Sequence, residues 1–201
     1  DCPNELKKLT TASCKFWNER AIRFRSFEEY YPWEEGYPPL AFSTLSTVRM
    51  VAEDVIAIDH VIPGLKVASR QLLNRFESQA ANQQVAGLAA LSWIHKTSPS
   101  LVSLAEINTL IEKTLQLQDE EGWFNEYGGP DLGYLSVTID CLWDSFDAIG
   151  DIRLIESAKK ALSFLDEMTC NTYGDSIGMH NARNTDYIVP YIIIRNNIII
   201  I

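Results

Sequence analysis

The sequence predicts an all-α protein built from helical hairpins. Apolar residues recur at helical spacing along most of the chain, and Pro and Gly divide it into seven or eight helical stretches. Apolar helices rich in small residues alternate with more charged helices, and the pairs recur roughly every 45–50 residues. Such alternation is typical of an α/α toroid or an α-solenoid, with apolar helices inside and polar helices outside. An irregular helical bundle is the alternative.

The predicted helices follow from this periodicity and from the residues that interrupt it. Pro38 and Pro39 separate the first two helices, and Pro63 precedes the third. Gly150 is a predicted C-cap and Asp151 a predicted N-cap. The expected helices span residues 3–24, 40–58, 65–76, 82–95, 101–118, 134–149 and 152–168, with an eighth candidate from residue 185.

The first predicted helix is the most basic stretch of the chain. Its charged side chains are expected to form a solvated outer face. One face of this helix is mostly apolar, and the residues that fall near it at helical spacing are Leu6, Leu9, Ser13, Phe16, Trp17 and Ala21.

Composition limits the classes of partner. The chain has 201 residues, a hydrophobic fraction of 46% and a formal net charge of −10, which fits one globular domain over residues 1–201. So acidic a domain is a poor candidate for binding nucleic acid. The Ile-rich end, residues 192–201, is too short and too interrupted to insert into a membrane.

Cysteine usage indicates reduced thiols. Cys2 and Cys14 lie twelve residues apart in one predicted helix, roughly 18 Å by helical rise, which is too far for a disulfide. No Cys-x-x-Cys pair is present, so no structural zinc site is expected. No basic and apolar leader is visible, which favours a cytoplasmic location.

Five residues of one loop are repeated in another. Phe27, Glu29, Tyr30, Gly36 and Tyr37 recur as Phe124, Glu126, Tyr127, Gly133 and Tyr134, each displaced by 97 positions. An apolar helix follows each copy. The echo predicts that the two loops superpose and that their two glutamates hold equivalent places.

The alternation of helices predicts a functional face. The loops at 26–39, 78–84, 119–133 and 171–184 each connect an outer helix to the next inner one, so they should open at the same end. The candidate site residues in these loops are Glu29, Tyr30, Trp33, Asn82, Gln83, Trp123, Glu126, Tyr127, Asp131, Tyr134, His180, Arg183 and Asn184. Aromatic rings mixed with carboxylates and amides suit a sugar-binding cleft.

Candidate catalytic groups lie among them, each with a structural alternative. Glu29 and Glu126 are an acid–base pair in one interpretation and caps of helix N-termini in the other. Tyr127 is either a catalytic or stacking group or a packed ring. His180 can exchange protons near neutral pH, and Arg183 can hold a carboxylate.

An acidic stripe is the one candidate metal site. Asp140, Asp144, Asp147 and Asp151 share one helical face. A magnesium site of the kind used with diphosphates is the sharper interpretation. A solvated stripe ending in a cap is favoured, because no basic cluster accompanies it, and neither a metal nor another cofactor is expected.

Several of these blocks resemble bacterial α/α-toroid proteins of polysaccharide metabolism, the heparinase II/III-like and related six-hairpin toroids. The resemblance spans residues 26–187 in scattered segments, and the stretch from Trp123 to Tyr134 is the most distinctive. It implies a carbohydrate-active enzyme, a lyase or a glycoside hydrolase, acting on an oligo- or polysaccharide. The sequence holds about four hairpins, so we expect either an open ring or a fragment of a longer toroid.

Two other functions remain open at this point. One is a non-catalytic helical-repeat module that binds glycan or protein. The other is a terpenoid-cyclase-like enzyme with an apolar cavity, into which Asp144 and Asp147 would face.

Overall fold

The regular secondary structure of the described chain is helical. A computed structural model describes residues 2–24, 27–31 and 34–168, and within these ranges it contains no strand. The helices are α1 (Cys2–Phe24), α2 (Tyr37–Ala52), α3 (Ile62–Asn74), α4 (Ala81–Thr97), α5 (Leu104–Leu115), α6 (Leu132–Ile149) and α7 (Ile152–Glu167), with a 3₁₀ turn at Ile58–His60. The all-α prediction is confirmed for this part of the chain.

Helix boundaries differ from the predicted ones where local capping decides them. α2 begins at Tyr37, because Pro38 and Pro39 lie in its first turn, where a missing N–H costs nothing. It ends at Ala52 rather than at residue 58, and Asp54 then adopts a φ of 55°.

α5 begins three residues later than predicted because a capping box sets its start. The Ser103 amide donates to the Glu106 carboxylate at 2.8 Å, and the Glu106 amide donates back to the Ser103 hydroxyl at 3.3 Å. The Ser103 amide, the Ser103 hydroxyl, which also donates to this carboxylate at 2.7 Å, and Arg70 together lower the pKa of Glu106 to about 2.

The chain groups into two compact units. The first comprises Asp1–Phe76 and Ala86–Leu110, and the second comprises Glu77–Val85 and Ile111–Ile201. α4 and α5 each contribute residues to both units. The prediction of a single domain stays a prediction.

The first unit contains α1, α2 and α3 in mutual contact. α1 buries Cys14, Trp17 and Ala21. The Trp17 indole donates to the Ser43 hydroxyl at 2.8 Å, and the Asn18 side-chain oxygen Oδ1 accepts the Gly64 amide at 2.7 Å. Asn18 therefore caps the first turn of α3 from a different helix.

The predicted apolar face of α1 is only partly correct. Leu6, Leu9 and Phe16 are 64%, 66% and 64% exposed, although they share helical spacing with Trp17 and Ala21. The buried residues lie on one side of this apolar surface, and the exposed residues lie on the other.

α4 differs from its neighbours in burial. Every residue from Ala86 to Ile94 is buried, and this run lies within the first unit. α7, in the second unit, alternates buried residues such as Leu154 and Ala158 with exposed ones such as Glu156 and Lys159. Among the described residues, α2, α4 and α6 each have at most one exposed residue, whereas α1, α3, α5 and α7 each have several, which agrees with the predicted alternation of apolar and charged helices.

In the second unit, α6 and α7 form an antiparallel-type hairpin with a two-residue connection. Gly150 adopts a left-handed φ of 71° as the C-cap of α6. The Asp151 carboxylate accepts the Arg153 amide at 3.0 Å as the N-cap of α7. Both predicted caps are confirmed.

The described cysteines Cys14 and Cys141 are free and buried. Burial raises the pKa of both thiols, and the nearby Asp140 and Asp144 raise that of Cys141 further. Both side chains act as small apolar groups in the core. No helix in the described ranges combines the length and apolarity needed to cross a membrane.

Candidate functional site

The loop between α5 and α6 is a folded element with its own backbone hydrogen bonds. Gln118 and Phe124 form an antiparallel bridge, and the Asp119 amide donates to the Trp123 carbonyl at 2.8 Å. Gly122 makes the turn between them with a φ of 113°. This conformation is open to glycine and strained for other residues.

Polar side chains fasten this turn to α7. The Gln118 side-chain nitrogen donates to the carbonyls of Gly122 and Ser157 at 2.9 and 3.0 Å. The Gln118 side-chain oxygen accepts the Ser157 hydroxyl at 2.7 Å. Lys160 donates to the Asp119 carbonyl at 3.2 Å. The turn that carries Trp123 is therefore held against a helix.

The second half of the loop is fastened to the start of α4. The Tyr127 amide donates to the Gln79 carbonyl at 2.6 Å, and the Ala81 amide donates to the Asn125 carbonyl at 3.0 Å. The Asn125 side chain donates to the Ser78 carbonyl at 3.0 Å. These bonds hold candidate residues from two loops, 78–84 and 119–133, in one place.

Glu126 lies at the centre of this contact and is 1% exposed. Its carboxylate accepts the Asn82 amide, in the first turn of α4, at 2.7 Å. A negative charge is favourable at a helix N-terminus, where backbone N–H groups lack intrahelical partners. Of the two roles considered from sequence, the structure gives Glu126 the capping role.

Tyr127 combines an uncommon backbone with an exposed ring. Its φ is 55°, in the left-handed region that bulky residues rarely adopt, and its side chain is 42% exposed. Gln83 donates to its hydroxyl at 3.4 Å. The following Gly128 has a φ of 97° and donates its amide to the Asn125 side chain at 3.1 Å.

Two further candidate side chains, Asn82 and Trp123, differ in exposure. Asn82 is 5% exposed, and its side-chain oxygen has no hydrogen-bond donor within the described part of the chain. Trp123 is partly exposed, and its indole donates to the Glu121 carboxylate at 3.2 Å, which fixes the ring.

Asp131 and Tyr134 have local structural roles. Asp131 is 1% exposed, and its carboxylate accepts the Tyr134 amide at 2.9 Å as the N-cap of α6. Because the cap begins α6 at Leu132, the helix starts two residues before the predicted boundary. Tyr134 is partly exposed in the first turn of α6.

The loop before α2 is organised by a residue that sequence reasoning missed. The Glu34 carboxylate accepts the amides of Glu29, Tyr30 and Tyr31 at 3.1, 2.8 and 3.4 Å. These bonds lower the pKa of Glu34, and the bond from the Tyr30 amide is the largest cause. Successive amides facing one acceptor follow from a tight turn, which the nearby Tyr-Tyr-Pro run indicates.

The predicted equivalence of Glu29 and Glu126 is wrong. Glu29 is exposed and Glu126 is buried. The helix that follows also starts at a different point, because Gly36 is the N-cap of α2 whereas Gly133 lies inside α6. Tyr30, 73% exposed, likewise differs from Tyr127 in exposure.

The structure thus brings together Asn82, Gln83, Glu126 and Tyr127, and it describes Glu29 and Tyr30 within the other unit. Trp33, His180, Arg183 and Asn184 lie outside the described residues. Convergence of all the predicted site residues stays a prediction.

The described ranges include the acidic stripe of Asp140, Asp144 and Asp147. No group of three or more His, Cys, Asp or Glu side chains there is arranged to hold a metal ion. In comparisons with protein-family models, with curated proteins and with solved structures, this chain found no match.

Proposed function

We propose that this chain binds an oligo- or polysaccharide at the surface formed by the start of α4 and the loop between α5 and α6. We call this the loop surface, and its members are Gln83, Trp123 and Tyr127. Its architecture would be an α/α toroid, closed or open. The alternation of α2, α4 and α6, with at most one exposed residue each, and α1, α3, α5 and α7, with several each, supports this arrangement.

The backbone of Tyr127 is the observation that carries the proposal. A left-handed φ costs a bulky residue on the order of 1–3 kcal/mol and persists only where its surroundings enforce it. Here two backbone hydrogen bonds enforce it. The Tyr127 amide donates to the Gln79 carbonyl, and the Glu126 amide donates to the Gly129 carbonyl. The strained backbone places the aromatic ring at the surface instead of in the core, as expected of a ring that contacts a ligand.

The chemistry around the ring suits a sugar. An aromatic face can cover the apolar face of a pyranose, and amide groups can exchange hydrogen bonds with its hydroxyls. Gln83 contacts the Tyr127 hydroxyl and can exchange hydrogen bonds with a ligand, whereas Asn82 is 5% exposed and lies beneath this surface. Trp123, held by Glu121, offers a second ring on the same loop.

Burial of Glu126 favours binding over cleavage by this carboxylate. An acid or base must come within hydrogen-bond reach of the bond it cleaves, and the Glu126 side chain is 1% exposed and bonded to Asn82. An enzymatic version, a lyase or a hydrolase, would therefore depend on His180 and Arg183. We propose a cytoplasmic location on the basis of the free buried thiols of Cys14 and Cys141.

A glycine substitution tests the proposal. Tyr127→Gly removes the ring and relieves the backbone strain together, so we expect glycan binding to fall at least tenfold while the melting temperature stays equal or rises. Binding would be measured by calorimetry against the tightest ligand found on a panel of neutral, amino and uronic oligosaccharides.

Asp54→Gly is the matched control, because Asp54 has the same φ of 55° and lies outside the loop surface. It should relieve similar strain and leave glycan affinity unchanged. Wild-type affinity in Tyr127→Gly, or no binding to any member of the panel, would contradict the proposal. Release of reducing ends or of unsaturated products, lost in His180→Ala, would identify an enzyme.

A further inference from the structure

α1 exposes an apolar seam that the first unit does not cover. Leu6, Leu9 and Phe16 are each roughly two-thirds exposed, at 64%, 66% and 64%. Ser13 is exposed between them. Three large apolar side chains within three turns of one helix form a continuous patch, which is a common mark of an interaction site.

The spacing of this seam is that of a coiled coil. Leu6, Leu9, Ser13 and Phe16 follow one another at intervals of three, four and three residues, which places them along one narrow line of the helix. Cys14, Trp17 and Ala21 form the neighbouring face that packs within the first unit. α1 therefore has room for a second helix beside the contacts it already makes.

We propose that the seam of α1 pairs antiparallel with α1 of a second copy of this chain. The two-fold axis would lie level with Thr11. Leu6 would then face the partner's Phe16, and Leu9 would face the partner's Ser13.

The order of residues favours a second copy in this orientation. In the antiparallel register every facing pair contains at least one large side chain, because Ser13 always faces Leu9 and Leu6 always faces Phe16. A parallel pair would set Ser13 against the partner's Ser13 and leave a gap between two phenylalanines and two leucines. Apolar surfaces that fill each other in this way are preferred to surfaces that leave voids.

Charge also favours a second copy over an anionic membrane. Lys7, Lys8 and Lys15 are exposed, and at about 100° per residue they lie roughly 120–140° away from the seam. If the seam entered a bilayer surface, these ammonium groups would point away from the headgroups. In a dimer they remain in solvent.

The size of the seam predicts a weak dimer. Three side chains per copy, at on the order of 100 Å² each, give about 600 Å² of apolar surface for two copies. Standard stable interfaces bury roughly 1,200–2,000 Å² in total. Association should therefore depend on concentration in the micromolar range or above.

Sedimentation equilibrium of the full chain tests the proposal. The average mass should rise from 22.7 kDa towards twice that value as the concentration increases from roughly 1 to roughly 500 µM. Leu9→Asp places a charge in the seam twice per dimer and should weaken association about a hundredfold or more. Lys8→Asp, next to it but off the seam, should leave association unchanged or strengthen it.

A mixture of variants tests the antiparallel register. Ser13→Lys and Leu9→Asp should each associate poorly alone, whereas an equal mixture should recover dimers through contact of the two new charges. Circular dichroism melts should match the wild type, because both positions are exposed. A constant 22.7 kDa mass at all concentrations would overturn the proposal. Wild-type association of Leu9→Asp, no recovery in the mixture, or Leu9-dependent binding to phosphatidylserine vesicles without dimers would do so too.

Discussion

Two loops that precede helices fix their backbones in different ways. The loop at 27–37 is closed locally: Glu34 accepts three amides from residues 29–31, and the Gly36 amide donates to the Phe27 carbonyl at 3.0 Å. The loop at 124–134 is closed from outside, through bonds to residues 78–82 and, from the turn before it, to α7.

The two loops differ in which carboxylate organises them. In the first it is Glu34, which lies five residues after Glu29 and is absent from the shared pattern. In the second it is Glu126 itself, which caps a helix 44 residues earlier in the chain. Five matching residue types therefore do not determine a loop, because its conformation depends on which acceptor its amides meet.

The largest contrast is expected at the paired glutamates. Glu126→Ala leaves the Asn82 amide without its acceptor and opens a space in the core, so it should lower the free energy of unfolding by about 3 kcal/mol. Glu29→Ala changes an exposed side chain and should alter it by less than about 0.5 kcal/mol. Urea denaturation measures both.

Glu126→Gln serves as the graded control. Its amide oxygen can still accept from Asn82, but the charge favoured at a helix N-terminus is lost, so a cost of about 1 kcal/mol is expected. Equal costs for Glu126→Ala and Glu29→Ala would show that the two loops do not differ in this respect.

Substitutions at Gly122 and Gly128, both in the region of the second loop, should differ in their cost to stability. A Cβ at Gly122 would lie 2.5 Å from the Lys160 carbonyl oxygen, at a φ of 113°. Gly122→Ala should therefore cost about 2–3 kcal/mol through loss of the contact with α7. At Gly128 no atom lies within 4 Å and only the φ of 97° opposes a side chain, so Gly128→Ala should cost about 1 kcal/mol. Thermal melts that reverse this order would refute fastening to α7.

The smallest effect is expected from acid in the first loop. The amides of Tyr30, Glu29 and Tyr31 lower the pKa of Glu34 below the ordinary value of 4.5 for a glutamate. The folded pKa is the lower one, so the stabilisation is complete above pH 4.5 and is lost as the pH falls through the folded value. Amide proton shifts of Tyr30 and Tyr31 should titrate below pH 4.5.

Glu34→Gln should remove that titration. The amides around Asn82 should show no such dependence on Glu34. If the shifts of Tyr30 and Tyr31 titrate alike in the variant and the wild type, another carboxylate organises the loop.

Local signals predicted much of the fold. Apolar periodicity located all seven described helices, and Gly150 and Asp151 identified the α6–α7 connection. The remaining boundary errors have local causes: proline was taken as a stop before α2, although it is tolerated in the first turn.

The site was less predictable because long-range contacts decide it. The stretch from Trp123 to Tyr134 was identified from its composition, and the pairing of Asn82 and Gln83 with this loop followed from the repeat argument. Burial of Glu126 was not predictable, since a carboxylate in a loop gives no sign of which amide it meets. The organising roles of Gln118 and Glu34 were missed for the same reason.

The two long-range caps, Asn18 on α3 and Glu126 on α4, become available at different times during synthesis. Asn18 precedes its target Gly64 by 46 residues, so it is already present when α3 emerges. Glu126 follows its target Asn82 by 44 residues, so the nascent α4 waits for its cap. At roughly 5–20 residues per second, this delay is about 2–9 s. For that time the end of the apolar α4 lacks its cap, and its apolar surface can contact other chains.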